Sequence, residues 1–274
     1  MNTVICGCAR NCEAYLDDVF ENIRKIQNIL NVKKIVVAYD DSSDKTLFKL
    51  CQLKKQFNLE ILVNKESLTS ERTQNICNAR NKMLNYINNL DYQVDYFIMI
   101  DLDDVCSKPI NIEVLKEALN ETDKWDGLTF NNERYYDFWA LSIGDFQYSC
   151  WHWNNPYEVI KLMYNHLKSQ NKLKNGNYIE CDSAFNGFGI YKYNMFNNCY
   201  YKSIIDNIEL FDLNKIKNIS TKFNLQPMIK LGIYDCEHRF FNLSAKTKNK
   251  AKIAINKKHL FPAYSGEHAR FLYI

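Results

Sequence analysis

A chain of 274 residues with 46% hydrophobic content is long enough to bury a full core, as one large domain or two small ones. Its formal charge of +3 is nearly balanced, which argues against a nucleic-acid or polyanion partner. With no signal peptide at Met1–Arg10, no long apolar run and ten cysteines in no regular framework, the chain is expected to be cytoplasmic and without a membrane span.

Thr3–Cys8 is a short apolar strand. Leu16, Val19, Ile23, Ile26 and Leu30 recur at three- and four-residue steps, the face of a helix. Lys33–Tyr39 is a β-branched strand closed by Asp40-Asp41-Ser42-Ser43, and a helix follows with Leu47, Leu50 and Phe57 on one face, capped by Ser43 or Asp44. Leu59–Val63 is the third strand, Ser70–Ile87 the third helix and Tyr96–Ile100 the fourth strand. Strands separated by amphipathic helices predict an α/β fold with a mostly parallel sheet and helices on both faces.

The second half is less regular. Gly127–Phe130 and Phe138–Ile143 read as strands, and Pro156–Asn171 as a helix with Pro in its first turn. Tyr178–Tyr191 reads as strand broken by Asn186-Gly187-Phe188-Gly189. Asp235–Ala245 is expected to be helical and Ala251–Ile255 to be the last strand. No linker marks a boundary, so residues 1–274 are expected to form a single domain, with a nucleotide-binding half (1–105) and an acceptor-binding half (106–274).

The most telling run is Tyr96-Phe-Ile-Met-Ile-Asp101-Leu-Asp103-Asp104, five apolar residues ending at three carboxylates. Side chains alternate along a strand, so Asp101 and Asp103 are expected on one side and Asp104 on the other. Two carboxylates at the carboxyl edge of a buried strand suit a hard cation such as Mn²⁺ or Mg²⁺.

Three strand ends then line up: Cys8-Ala9-Arg10-Asn11, Tyr39-Asp40-Asp41-Ser42-Ser43 and Asp101-Leu102-Asp103-Asp104. This order resembles the GT-A superfamily of nucleotide-sugar-dependent glycosyltransferases. The Arg- and Asn-bearing helix with Arg72, Asn75, Arg80 and Asn81 looks like that family's helix before its Asp-x-Asp metal motif. Asn186-Gly187-Phe188-Gly189 looks like its acceptor-side loop, and Asp235-Cys236-Glu237-His238 is similar to a Cys-Glu-His signature in capsule-type fungal mannosyltransferases. The resemblance covers most of residues 3–266 and is more specific in front than behind.

The resemblance implies a GT-A type, Rossmann-like sheet with an irregular acceptor-side half. It also implies transfer of a sugar from a UDP- or GDP-sugar to a hydroxyl on a glycan, lipid or protein. Asp103 is the expected metal ligand, with Asp101 reaching the metal or the ribose. Asp40 or Asp41 would take an N–H of the base, with Asp41 preferred. Arg10 and Arg72 would contact the diphosphate, where a guanidinium suits phosphate geometry, and Ala9 and Arg80 would also line the nucleotide-sugar site. Deprotonating the acceptor hydroxyl calls for a base, and Glu237 or Asp235 is favoured over Asp182. His259 is the expected third metal ligand, by analogy with a C-terminal His in that superfamily, with His238 its rival. Trp151, His152 and Trp153 offer a stacking face for a sugar or a piece of core.

Two other readings fit parts of the same sequence. Asp101-Leu102-Asp103-Asp104-Val105 matches the motif of haloacid-dehalogenase-type phosphatases, although that motif normally ends the first strand of its core. A non-catalytic sugar-nucleotide or glycan-binding module would keep the fold without turnover.

Overall fold

A computed structural model describes residues 1–65, 69–132, 135–174, 176–206, 211–228 and 232–262. The front half alternates as expected: β1 (Asn2–Ala9), α1 (Leu16–Gln27), β2 (Asn31–Tyr39), α2 (Thr46–Leu53), β3 (Leu59–Val63), α3 (Arg72–Asn88) and β4 (Tyr96–Ile100). A single 3₁₀ turn at Asp104–Cys106 leads to α4 (Ile112–Asn120) and β5 (Gly127–Asn131). After a long irregular stretch come α5 (Pro156–Lys172), β6 (Tyr178–Cys181), β7 (Phe188–Lys192), α6 (Tyr193–Phe196), α7 (Leu213–Phe223), α8 (Glu237–Asn249) and β8 (Ile253–His259).

All eight strands form one sheet in the order β3-β2-β1-β4-β7-β5-β8-β6. The first four run parallel, as their intervening helices require. β7 enters antiparallel between β4 and β5, β8 lies parallel to β5, and β6 closes the edge antiparallel to β8. The sheet is mixed and mostly parallel, and it runs unbroken from the front half into the back.

Strand alternation sorts the core into two layers. Val4, Cys6, Val36, Ala38, Phe97 and Met99 face α3, α5, α7 and α8, whereas Ile5, Ile35, Val37, Ile98 and Ile100 face α1, α2 and α4. α1 shows why its sequence becomes a helix: Leu16, Val19, Phe20, Ile23 and Ile26 form one buried stripe opposite a charged face.

Several expectations are corrected. Phe57 lies beyond the end of α2 and is buried in its own turn. The last strand starts later and runs longer than expected, so Lys257, Lys258 and His259 belong to it. Phe138–Ile143 is not a strand; Ser142 and Ile143 make only isolated bridges. Its backbone bonds within local turns and to Ser183, and Arg239 adds bonds from Nη1 to the Leu141 carbonyl (3.1 Å) and from Nη2 to the nearby Gln147 carbonyl (2.6 Å). Tyr178–Tyr191 is two strands, not one, and the break falls at 182–187, so Phe188-Gly189 already belong to β7.

Arg239 is fully buried, and its Nε donates to Asp235 Oδ2 at 2.9 Å. It therefore ties α8 to the irregular stretch before α5. Removing the guanidinium would leave Asp235 buried without its partner, and Arg239→Met is expected to cost about 3–5 kcal/mol. The midpoint of urea unfolding measures this; a loss below about 1 kcal/mol would show the pair to be dispensable.

No helix among the described residues is long and apolar enough to cross a membrane. All ten cysteines are free thiols.

Candidate active site

The ends of β1 and β2, one face of α3, the turn after β4, the stretch after β5 and the first turn of α8 enclose a cavity of about 280 Å³. On α3, Arg72, Asn75, Ile76, Ala79 and Arg80 line it, the three- and four-residue spacing of a single helical face. Ala9, Arg10 and Asp40 come from the first two strand ends.

The first two strand ends are stitched together. Asn11 sits at φ 51°, in the left-handed region that Asn tolerates, and its Oδ1 accepts from Ser43 N at 2.8 Å. Asp44 accepts from Glu13 N (3.0 Å) and Thr46 N (2.9 Å), while Cys12 N donates to Thr46 Oγ1. The Asp-Ser turn thus spends Ser42, Ser43 and Asp44 on closing the loop. Asp40 faces the cavity, and its carboxyl is pushed up by burial, opposed by Asn64 and Arg10. Asp41 is exposed beside it and outside the lining.

The carboxylate turn places Asp101 and Asp103 on the cavity and buries Asp104 away from it. Asp103 Oδ1 also accepts from Val105 N at 3.1 Å, capping the 3₁₀ turn. Asp101 N donates to the Gly187 carbonyl at 2.8 Å, so the loop before β7 clamps this turn. Gly187 has φ +87°, and a Cβ there would lie 2.5 Å from Val105 Cγ1. No side chain fits at that contact, which is the reason for glycine.

Across the cavity, Glu237 opens α8 and is buried. Arg80 spans the gap: Nη1 lies 2.6 Å from Glu237 Oε1 and Nη2 3.4 Å from Asp101 Oδ1. Its guanidinium also stands 4.7 Å from the centroid of Phe185. Burial alone would favour the neutral arginine, but Glu237, Cys8 and Asp101 outweigh it and hold the charge firmly. Glu237 Oε2 has the Cys236 thiol at 3.9 Å.

Not every predicted residue joins this cavity. Asp235 is two residues before Glu237 but turns inward to Arg239, and it does not line the cavity. Asp182 pairs with Lys246 and with Gln147 Nε2 and lines a separate surface depression. His259 is exposed at the end of β8, also outside the lining. Trp153 and His152 are core, with His152 Nε2 3.0 Å from the Tyr234 carbonyl, whereas Trp151 is exposed against Tyr157.

Sequence reasoning missed Tyr136, Asp137, Trp139 and Phe185, which complete the wall. Tyr136 donates its hydroxyl to Asp101 Oδ2 at 3.0 Å. Asp137 accepts from Ala140 N (3.2 Å) and Asn186 N (3.4 Å), and burial, then Asp101, pushes its carboxyl up to about 6. A carboxyl raised in the folded state binds protons more readily there than in the unfolded chain. Its contribution is therefore present at low pH and lost as pH rises from about 4 through 6. Replacing Asp137 by Asn removes that loss, so the melting temperature of the variant relative to the native chain is expected to rise between pH 4.5 and 7.5, by about 1–2 kcal/mol in stability terms. A difference that stays flat with pH would rule this out.

No protein-family model and no curated protein matches the sequence. Solved structures do. S. aureus TarS 1–349 in complex with UDP-GlcNAc aligns with 100% of this chain and 62% of its own, at 15% identity and a TM-score of 0.51. The complex of the same protein with UDP covers 99% of this chain and 64% of its own, at 15% identity and a TM-score of 0.50. The fold is of the GT-A type. At this identity the likeness speaks to the GT-A fold alone, and the chain spans under two thirds of the TarS structures' length. Within the GT-A fold the carboxylate turn ends the fourth strand of the chain, not the first as in the phosphatase motif.

Proposed function

We propose that this chain is a glycosyltransferase that moves a sugar from a UDP- or GDP-sugar to a hydroxyl on a glycan, lipid or protein. The front half, 1–105, would hold the nucleotide, and the back half, 106–274, the acceptor. The observation that carries the reading is the pairing within one cavity of two strand-end carboxylates, Asp101 and Asp103, with a buried third, Glu237, held opposite them by Arg80.

A divalent ion fits this donor set in a particular way. Among the described residues, no three His, Cys, Asp or Glu side chains form a ready metal site. Asp101 already takes Tyr136 and faces Arg80, and Asp103 caps its turn. Two carboxylates completed by phosphate oxygens and water is the set that Mg²⁺ accepts and that Mn²⁺ shares. Asp101 and Asp103 would hold the ion, which when bound supplies Lewis-acid stabilisation of charge on the diphosphate oxygens.

The chain's own residues do the rest. Arg10 and Arg72, exposed at the cavity mouth, are placed to meet a diphosphate, and Asp40 is the assignment for the base N–H over the exposed Asp41. Arg80 acts as a positioning residue, because both ends of its guanidinium are engaged. Glu237 is the base in an inverting transfer: Arg80 fixes Oε1, and Oε2 takes the proton of the acceptor hydroxyl as that oxygen bonds to the anomeric carbon and the nucleoside diphosphate departs.

The test is a panel of UDP- and GDP-sugars with Mn²⁺, scored for slow donor hydrolysis and for thermal stabilisation, which mass action produces when a ligand binds the folded state. One donor is expected to stand out, and its effect to vanish in excess EDTA. No stabilisation by any donor, or an effect indifferent to EDTA, overturns the reading or its metal.

A further inference from the structure

His238 follows Glu237 on α8 and lines the same cavity at 1% exposure. Neither ring nitrogen has a hydrogen-bond partner. Buried polar atoms are nearly always paired, and an unpaired one is costly, so two on a single ring call for a reason. The ring is also held rigidly. It stacks on Phe185 with centroids 3.7 Å apart and meets Tyr201 edge-on at 5.4 Å. Nε2 lies 3.8 Å from Glu237 Oε1, too far for a hydrogen bond.

Resting on the glycosyltransferase reading, we infer that His238 is a specificity-determining residue whose ring nitrogens exchange hydrogen bonds with hydroxyls of the donor's sugar ring. The chemistry selects this ligand. Burial and the neighbouring Arg80 charge keep the imidazole neutral, so it offers one N–H and one lone pair. A sugar hydroxyl both donates and accepts, which matches that pair. A phosphate accepts only and is drawn to cations, and the cavity's exposed arginines, Arg10 and Arg72, serve it better. A dication at His238 would stand beside the fixed charge of Arg80. His238 is enclosed beside Glu237, and a sugar whose anomeric carbon meets the hydroxyl that Glu237 activates would lie within its reach.

A pocket built to hydrogen-bond a hydroxyl rejects the analogue that lacks it, because its own polar atoms are then left unpaired. The experiment uses the full chain with Mn²⁺ and compares binding of UDP and GDP with binding of the sugar nucleotide that the donor panel selects. His238→Phe keeps the stacked ring and removes both nitrogens; His238→Asn keeps a donor and an acceptor. In His238→Phe, affinity for the bare nucleoside diphosphate is expected to stay within about two-fold, while affinity for the sugar nucleotide falls about thirty-fold, the loss of two neutral hydrogen bonds. His238→Asn is expected to recover part of that loss. Donors deoxygenated at single ring positions are expected to bind the native chain about five- to ten-fold more weakly at each of the two positions that His238 bonds, and His238→Phe equally well.

Equal loss for bare and sugar-bearing nucleotide overturns the inference in favour of a metal-binding or structural histidine. Unchanged affinity for both overturns it as well. If the native chain binds neither UDP nor GDP, the glycosyltransferase reading itself has failed, an outcome distinct from either of these.

Discussion

Asp103→Asn is expected to lower Mn²⁺-dependent transfer or donor hydrolysis by about 10²–10³-fold, the scale on which losing one electrostatic stabiliser of a developing anion is felt. The substitution is chosen for what it keeps. Asn retains an oxygen that can accept from Val105 N, so the cap of the 3₁₀ turn survives and the fold should be unaffected. What it removes is negative charge on the cavity wall, and a hard cation binds a neutral amide oxygen far less well than a carboxylate. The measurement is turnover against Mn²⁺ concentration, with circular dichroism and melting temperature alongside. Activity within a few-fold of the native chain at saturating Mn²⁺ would remove Asp103 from the metal seat. A collapse in melting temperature would instead identify its main work as capping.

Glu237→Gln is the second large effect, with an expected loss of 10²–10⁴-fold in the transfer rate and little change in donor binding. The amide oxygen of Gln can still accept from Arg80, so the link from α8 to α3 persists while the carboxylate proposed as the base is gone. A comparison with Asp235→Asn separates the two acids. Asp235 points at Arg239 and lies outside the cavity, so that variant is expected to lose stability through the buried Arg239 pair, with its rate at low temperature largely intact. The opposite pattern, rate lost at Asp235 and kept at Glu237, would exchange their roles.

Much of the front half could be read from the chain because burial there obeys simple periods. Val4/Cys6 and Ile5 alternate across β1, and α1 repeats every three or four residues, so side-chain spacing maps directly onto two core layers. The abrupt change from Ile100 to Asp101 marked a strand end for the same reason. The back half obeys no such period. The stretch carrying Tyr136, Asp137 and Trp139 is tied at its Leu141 carbonyl, and just beyond at Gln147, to the side chain of Arg239 about a hundred residues downstream, and no local pattern announces such a partner. Asp235 and Glu237 look equivalent in sequence. They diverge because α8 begins between them: the residue before the helix turns back to its own next turn, while the first helical residue projects across the cavity to Arg80. Tyr178–Tyr191 misled for a topological reason, since its two strands sit at the edge and at the centre of the sheet.

The central place of β7 sets an order of events during synthesis. β1 to β4 can pair among themselves as soon as they leave the ribosome, but β4 then presents a bare edge until Phe188–Lys192 is made. The turn at Asp101 waits too, because the carbonyl that receives its N–H belongs to Gly187. Contacts of such sequence separation form slowly, and an open strand edge in the meantime invites pairing with other chains. A nascent chain stalled between α4 and β7 therefore carries most of the front wall of the cavity and an unpaired strand edge. The vulnerable interval in the life of this protein is the time it takes to translate from β4 to β7.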